Sequence, residues 1–211
     1  MRNKLIILIF MLIPILNYAQ DKVGINFAQN FTGFKFKDSQ GNEDPNLNRV
    51  VKFSYAFDYL KTLSSGIYLR PELAYKNYGA ESSVNNTNIE WNLNYLDINF
   101  GIGYIFNRHN LKPYFGLGFY YSYLFKANQI IGSESYDLIS NRALSVNDFG
   151  INMNLGFIYD FSENNGLFLE FRNDIGLNQL DKNINGGSKE LYNRASSIHF
   201  GLLFKITKKK S

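Results

Sequence analysis

The chain has 211 residues, no cysteine, 17% aromatic residues and a formal net charge of +4. The missing cysteines exclude a disulfide framework, thiolate metal sites and a lipidated cysteine. So small a basic excess is no footprint of a nucleic-acid binder. In chain order, Arg2 and Lys4 precede an apolar run from Leu5 to Leu16, broken by Pro14, and Ala19 offers a small residue for cleavage. This pattern predicts a secretory signal peptide over 1–19 and a single domain over 20–211. Loss of Arg2 and Lys4 on processing brings the net charge from +4 to +2.

Period-two alternation then predicts eight strands, at 22–36, 50–61, 66–78, 92–106, 112–126, 146–161, 166–179 and 196–207. From Leu96 to Phe106 every second residue is apolar, with Asp97, Asn99, Gly101 and Gly103 among those between. In the fifth strand Phe115, Leu117, Phe119, Tyr121, Tyr123 and Phe125 oppose Tyr114, Gly116, Gly118, Tyr120 and Ser122. The connections at 37–49, 79–91, 127–145 and 180–195 are long and polar, whereas those at 62–65, 107–111 and 162–165 are tight. Long and short in strict alternation is the rhythm of an eight-stranded antiparallel up-and-down transmembrane barrel, with its short turns and termini in the periplasm. The tail Lys208-Lys209-Lys210 reads as solvated.

Alternation alone does not say which face points out, since a soluble barrel has the opposite polarity. Three features favour apolar-out. The polar face is rich in glycine (Gly101, Gly103, Gly116, Gly118, Gly150, Gly156, Gly176, Gly201), which a narrow filled lumen needs and a wet surface does not. Aromatic residues near the short turns (Tyr59, Phe106, Phe115, Phe161, Phe204) resemble an interfacial girdle. The apolar faces also lack charge along most of their length. The lumen is then predicted to hold Lys52, Arg70, Lys76, Arg172 and Lys205 with Asp58, Glu72, Asp97, Asp148, Asp160, Glu170 and Asp174. Eight strands leave just enough room for side chains, so the expectation is a polar, salt-bridged plug.

Four segments, Arg70–Tyr75, Asn94–Ile98, Lys112–Gly118 and Asp148–Gly150, resemble in order and spacing the PorT-like outer-membrane β-barrel domain, over essentially the whole mature chain. The resemblance implies a Gram-negative outer-membrane barrel, and for its best-known member an accessory role in a protein secretion and gliding apparatus. Two departures stand out. Asn99 occupies a place where the family often has proline, and Phe204 is followed by seven residues where many such barrels end on an aromatic.

Candidate chemistry is sparse. His109 lies in a tight turn, and His199 is expected in the lumen, where Asp174 or Glu170 could approach it. The Gly101/Gly103 and Gly116/Gly118 pairs sit inside strands and do not form phosphate loops. Arg70 and Glu72 share one face and are expected to neutralise each other. The predicted lumen network is structural: Arg70, Glu72, Asp97, Asp148, Glu170, Arg172, Asp174 and His199. No catalytic, cofactor or metal residues are expected, and the partners are outer-membrane lipid, the barrel-insertion machinery and a protein met through the loops, with no nucleic acid. The functional expectation is a non-enzymatic structural or interaction protein. Its alternatives are a lipid-modifying enzyme using His199 and a narrow porin-like channel. Loop sequences such as Asn183–Gly187 name no ligand.

Overall fold

The computed structural model describes residues 20–37, 40, 42, 46–84, 87–107, 109–181 and 190–206. The predicted signal peptide, the Asn183–Gly187 loop and the lysine tail lie outside these residues. Among the described residues ten strands are formed: β1 (Gln20–Lys37), β2 (Leu47–Asn48), β3 (Val50–Thr62), β4 (Ile67–Val84), β5 (Thr87–Ile105), β6 (Leu111–Ile131), β7 (Glu134–Asp137), β8 (Asn147–Asp160), β9 (Asn165–Gly176) and β10 (Glu190–Lys205). The eight long ones pair antiparallel in the ring β1–β3–β4–β5–β6–β8–β9–β10, which β10 closes on β1 from Lys22↔Lys205 to Lys37↔Glu190. The predicted eight-stranded up-and-down barrel is thus the observed fold.

The faces point as expected from strand parity. On β5, Leu96, Ile98, Phe100 and Ile102 are half exposed on the outside, while Asp97 and Asn99 between them are buried. From Leu96 to Phe106 the outward face runs about 33 Å along the strand, or about 25 Å once tilted by roughly 40°, which matches a membrane barrel's apolar band. Aromatic pairs Tyr104–Phe106 and Phe106–Phe115 mark its short-turn border. At the opposite border Tyr75 and Tyr121 donate hydroxyl hydrogen bonds to Asn94 and Asn147.

Proline and glycine shape the wall. Pro71 has no N–H, and the β3–β4 ladder skips from Asp58↔Glu72 to Lys61↔Leu69 around it. Glycines clear space for large lumen side chains: a Cβ on Gly116 would collide with the Tyr68 hydroxyl, and one on Gly201 with the Phe168 ring. A register shift between Asn94 and Tyr95, opposite Leu124 and Lys126, leaves Phe125 and Lys126 both outward.

Three predicted loops are corrected, the one at 180–195 because β10 already begins at Glu190. The segment 79–91 is a hairpin, since β4 and β5 pair continuously from Ile67↔Tyr104 to Val84↔Thr87. Its Asn and Ser residues are poor strand formers, but the ladder below templates them and inward Ala80, Leu93 and Trp91 pack onto the core. Within 127–145, β6 runs on to Ile131, turns at Gly132 (φ +60°) and returns as β7. The chain then folds back over the mouth. Asp137 fixes that turn by accepting hydrogen bonds from Ile139 N and Ser140 N, which hold its carboxyl below the usual range.

Candidate functional site

The lumen is filled in three layers. Near the short turns, Leu60, Tyr68, Ile105, Tyr114, Ile158, Phe168 and Leu203 form an apolar seal, with a residual cavity of about 10 Å³ beside it, barely room for one water. At the long-loop end a second seal joins strand residues Tyr78, Leu93, Tyr95 and Leu124 to Leu138, Leu144 and Leu180 from the connections folded over the mouth. Backbone hydrogen bonds from Ser145 N to Leu180 O and from Leu138 N to Ala127 O pin that cover.

Between the seals lies the ionic layer. Arg172 donates to both oxygens of Glu72, at 2.6 and 3.0 Å, and through Nε to Glu170 at 2.9 Å. Arg70 reaches Glu170 at 2.7 Å and Glu72 at 3.9 Å, and the Tyr114 hydroxyl donates to Glu170 at 2.8 Å. Lys76 bridges Asp174 at 3.1 Å and Asp97 at 3.3 Å. Asp97 also accepts from the Ser122 hydroxyl, and Asp148 from Asn193 at 2.7 Å. These side chains come from β4, β5, β6, β8, β9 and β10 and meet because each sits at inward parity on its strand and the strands are staggered.

All eight residues of the predicted network are buried in the lumen. Arg70, Glu72, Glu170 and Arg172 form an Arg–Glu lattice, Asp97 and Asp174 share Lys76, and Asp148 and His199 stand outside both groups. The predicted pairing of His199 with Asp174 or Glu170 is not formed, although His199 and Glu170 are cross-strand partners. Glu170 is taken up by Arg70, Arg172 and Tyr114, so the ring nitrogens of His199 face Ser197 at 2.9 Å and Asn26 at 3.3 Å. Asn26 Nδ2 donates to Asp58, which leaves its Oδ1 to accept from His199 Nδ1–H, and Nε2 then accepts from the Ser197 hydroxyl. Serine, histidine and asparagine stand in the order of a nucleophile, a base and an orienting group. However, Ser197 and His199 are 2% and 3% exposed and lie between the two apolar seals.

Other lumen expectations are corrected at the mouths. Lys205 is exposed at the short-turn rim because the barrel wall ends there. Lys52 lies at the long-loop rim, 2.9 Å from Glu90, and Asp160 lies at the short-turn mouth with Lys22 and Lys112. Among the described residues no group of three His, Asp or Glu side chains is placed to hold a metal ion. The apolar seals escaped the sequence reading. The signal of the lower one is an apolar residue at inward parity near the short turns, as Ile105 and Tyr114 are.

The barrel overlays known outer-membrane structures. Neisserial surface protein A (NspA) is 16% identical, with 89% of this chain and 99% of that chain covered at a TM-score of 0.54. A major outer membrane protein from Thermus thermophilus is 10% identical, with 88% and 99% covered at 0.52. OprG from Pseudomonas aeruginosa is 14% identical, with 90% and 98% covered at 0.50. At such identities the likeness is one of fold. No curated protein sequence matches the chain. Residues 18–182 match the family described as outer membrane protein beta-barrel domain, and with its ring of eight strands, apolar outer band and polar lumen this chain belongs to that family.

Proposed function

We propose that the protein is a closed, non-catalytic outer-membrane barrel that works as a docking platform, with its short turns and both termini in the periplasm and its extended hairpins outside. The observation that carries this reading is the ionic layer sealed between two apolar layers, which leaves neither a water path nor access to His199. What projects beyond the apolar band is the β4–β5 hairpin and the β6–β7 arm, whose Glu134–Asp137 strand is exposed throughout. The likeness of four segments to the PorT-like domain supports secretion machinery as the partner class.

Planar-bilayer recordings of the purified protein are expected to show no steady conductance, and a stable open-channel current would overturn the closed reading. Replacing 81–90 by Asn-Gly joins Ala80 to Trp91, which already face each other, through a two-residue turn. A partner recovered in fixed ratio from mildly solubilised membranes should be lost in that variant. A clean wild-type monomer would sink the docking role.

The orientation has its own test, simplified by the lack of native cysteine. Ser135→Cys should react with a membrane-impermeant maleimide on intact cells. Ser162→Cys should react only after the outer membrane is permeabilised. The reverse pattern would invert the barrel.

A further inference from the structure

We propose that the short-turn mouth of the barrel is a phosphate-binding cup. The mouth is a polar cavity of about 470 Å³. It is closed below by the apolar seal, so it can hold a ligand without passing it. Its wall carries Lys22, Lys112 and Lys205. Lys22 is 8% exposed, so its ammonium is fixed and partly stripped of water, whereas Lys205 is exposed at the rim.

Two independent features point to an anion. Lys22 and Lys112 both contact the single carboxylate of Asp160, on opposite oxygens, the latter at 2.8 Å. One negative charge there holds two positive ones. In addition Lys22 and Lys205 stand directly opposite each other in the β1–β10 ladder, and like charges so placed destabilise a sheet. An oxyanion in the cup would relieve both repulsions. Asn110 and Ser162 also line the cavity and add polar groups.

Phosphate fits better than a carboxylate. The cup is far larger than a carboxylate needs, and three ammoniums around it call for acceptors pointing in several directions. Lysine serves as a point-charge phosphate ligand of this kind. Phe161, half exposed, forms part of the lip and continues the outward aromatic border, so the group can come from a lipid headgroup of the adjoining leaflet or from free phosphate. Glu163 also lines the cavity and opposes binding.

The test uses the full-length protein in a phosphate-free maltoside detergent, titrated with inorganic phosphate and with dihexanoyl phosphatidic acid, dihexanoylglycerol serving as the phosphate-free lipid control. Saturable binding of either phosphate compound, weakened at least tenfold in Lys112→Gln/Lys205→Gln, is the expected result. These two lysines sit at the rim, so the variant should retain the barrel, checked by its heat-dependent gel mobility. Binding of the lipid alone assigns the leaflet headgroup as source, whereas binding of inorganic phosphate shows that no acyl chain is required. Glu163→Gln should tighten binding by about two- to fivefold, and Lys126→Gln at the opposite end should leave it unchanged. No binding of either compound, binding of dihexanoylglycerol as tight as that of the acid, or an unaffected double-lysine variant would overturn the proposal. The binding measurement is independent of which side of the membrane the mouth faces, so its failure leaves the docking reading standing.

Discussion

Arg172→Leu should destabilise the barrel by about 3–5 kcal/mol, the usual cost of removing one partner from a buried ion pair. Arg172 is fully buried and makes a two-pronged contact with Glu72 as well as a third hydrogen bond to Glu170. Once it is gone, Glu170 retains Arg70 and Tyr114, but the nearest cation contact of Glu72 is Arg70 at 3.9 Å. A carboxylate would then stand in a dry lumen with little compensation. Arg172→Lys keeps the charge but not the planar fork and should fall between wild type and Arg172→Leu. Converting both partners, Arg172→Met with Glu72→Met, should cost less than the single change, because two apolar side chains replace a charge pair of similar volume. Urea unfolding in lipid vesicles measures all three. A loss below about 1 kcal/mol for Arg172→Leu would mean that the lumen is hydrated enough to screen its charges.

Phe100→Arg is the second large effect and acts on the opposite face. Phe100 lies in the middle of the outward band of β5, half exposed, with Ile98 and Ile102 on either side. An arginine at the bilayer midplane costs about 2–4 kcal/mol, and the aromatic contact with the acyl chains is lost as well. Folding yield into vesicles should drop sharply. The neighbouring inward change, Asn99→Ala, removes a hydrogen bond from Asn152 at 3.0 Å and should cost only about 1 kcal/mol. Equal losses at the two positions would contradict the assigned faces. Asn99→Asp, which parity alone would rate as mild, should be worse than Asn99→Ala. The ionic layer already holds Asp58, Asp148 and Asp174, each with an oxygen that accepts no hydrogen bond, and a further carboxylate adds to that burden.

Much of this barrel is written along the chain itself. A strand's side chains alternate because successive Cβ atoms point to opposite faces, which is a property of two neighbouring residues and needs no partner. Leu96 through Phe106 therefore announce both a strand and its two faces, and the glycines on the polar side tell which face is inside. The tight turns at 107–111 and 162–165 are equally legible, because Asn107, Asn110, Ser162, Asn164 and Asn165 interrupt the alternation there.

What the chain alone left open depends on register and stagger between strands distant in sequence. His199 and Glu170 face each other across the β9–β10 ladder, yet Arg70 of β4 and Arg172 of β9 reach Glu170 first, and the histidine turns to Ser197 and Asn26. The segment 79–91 looks like a loop by composition and becomes a hairpin because the ladder below it and the apolar cover above it stabilise strands that Asn and Ser would not form unaided. The two seals likewise exist only once the short-turn ends of seven strands or several folded-back connections are brought to one height. Parity, faces and barrel class are local properties, and the sequence by itself determined them. The ionic lattice, the seals and the lysine cup are meetings of residues distant in the chain, 100 positions apart for Arg172 and Glu72 and 138 for Lys22 and Asp160, and only closure of the ring decided which of them touch.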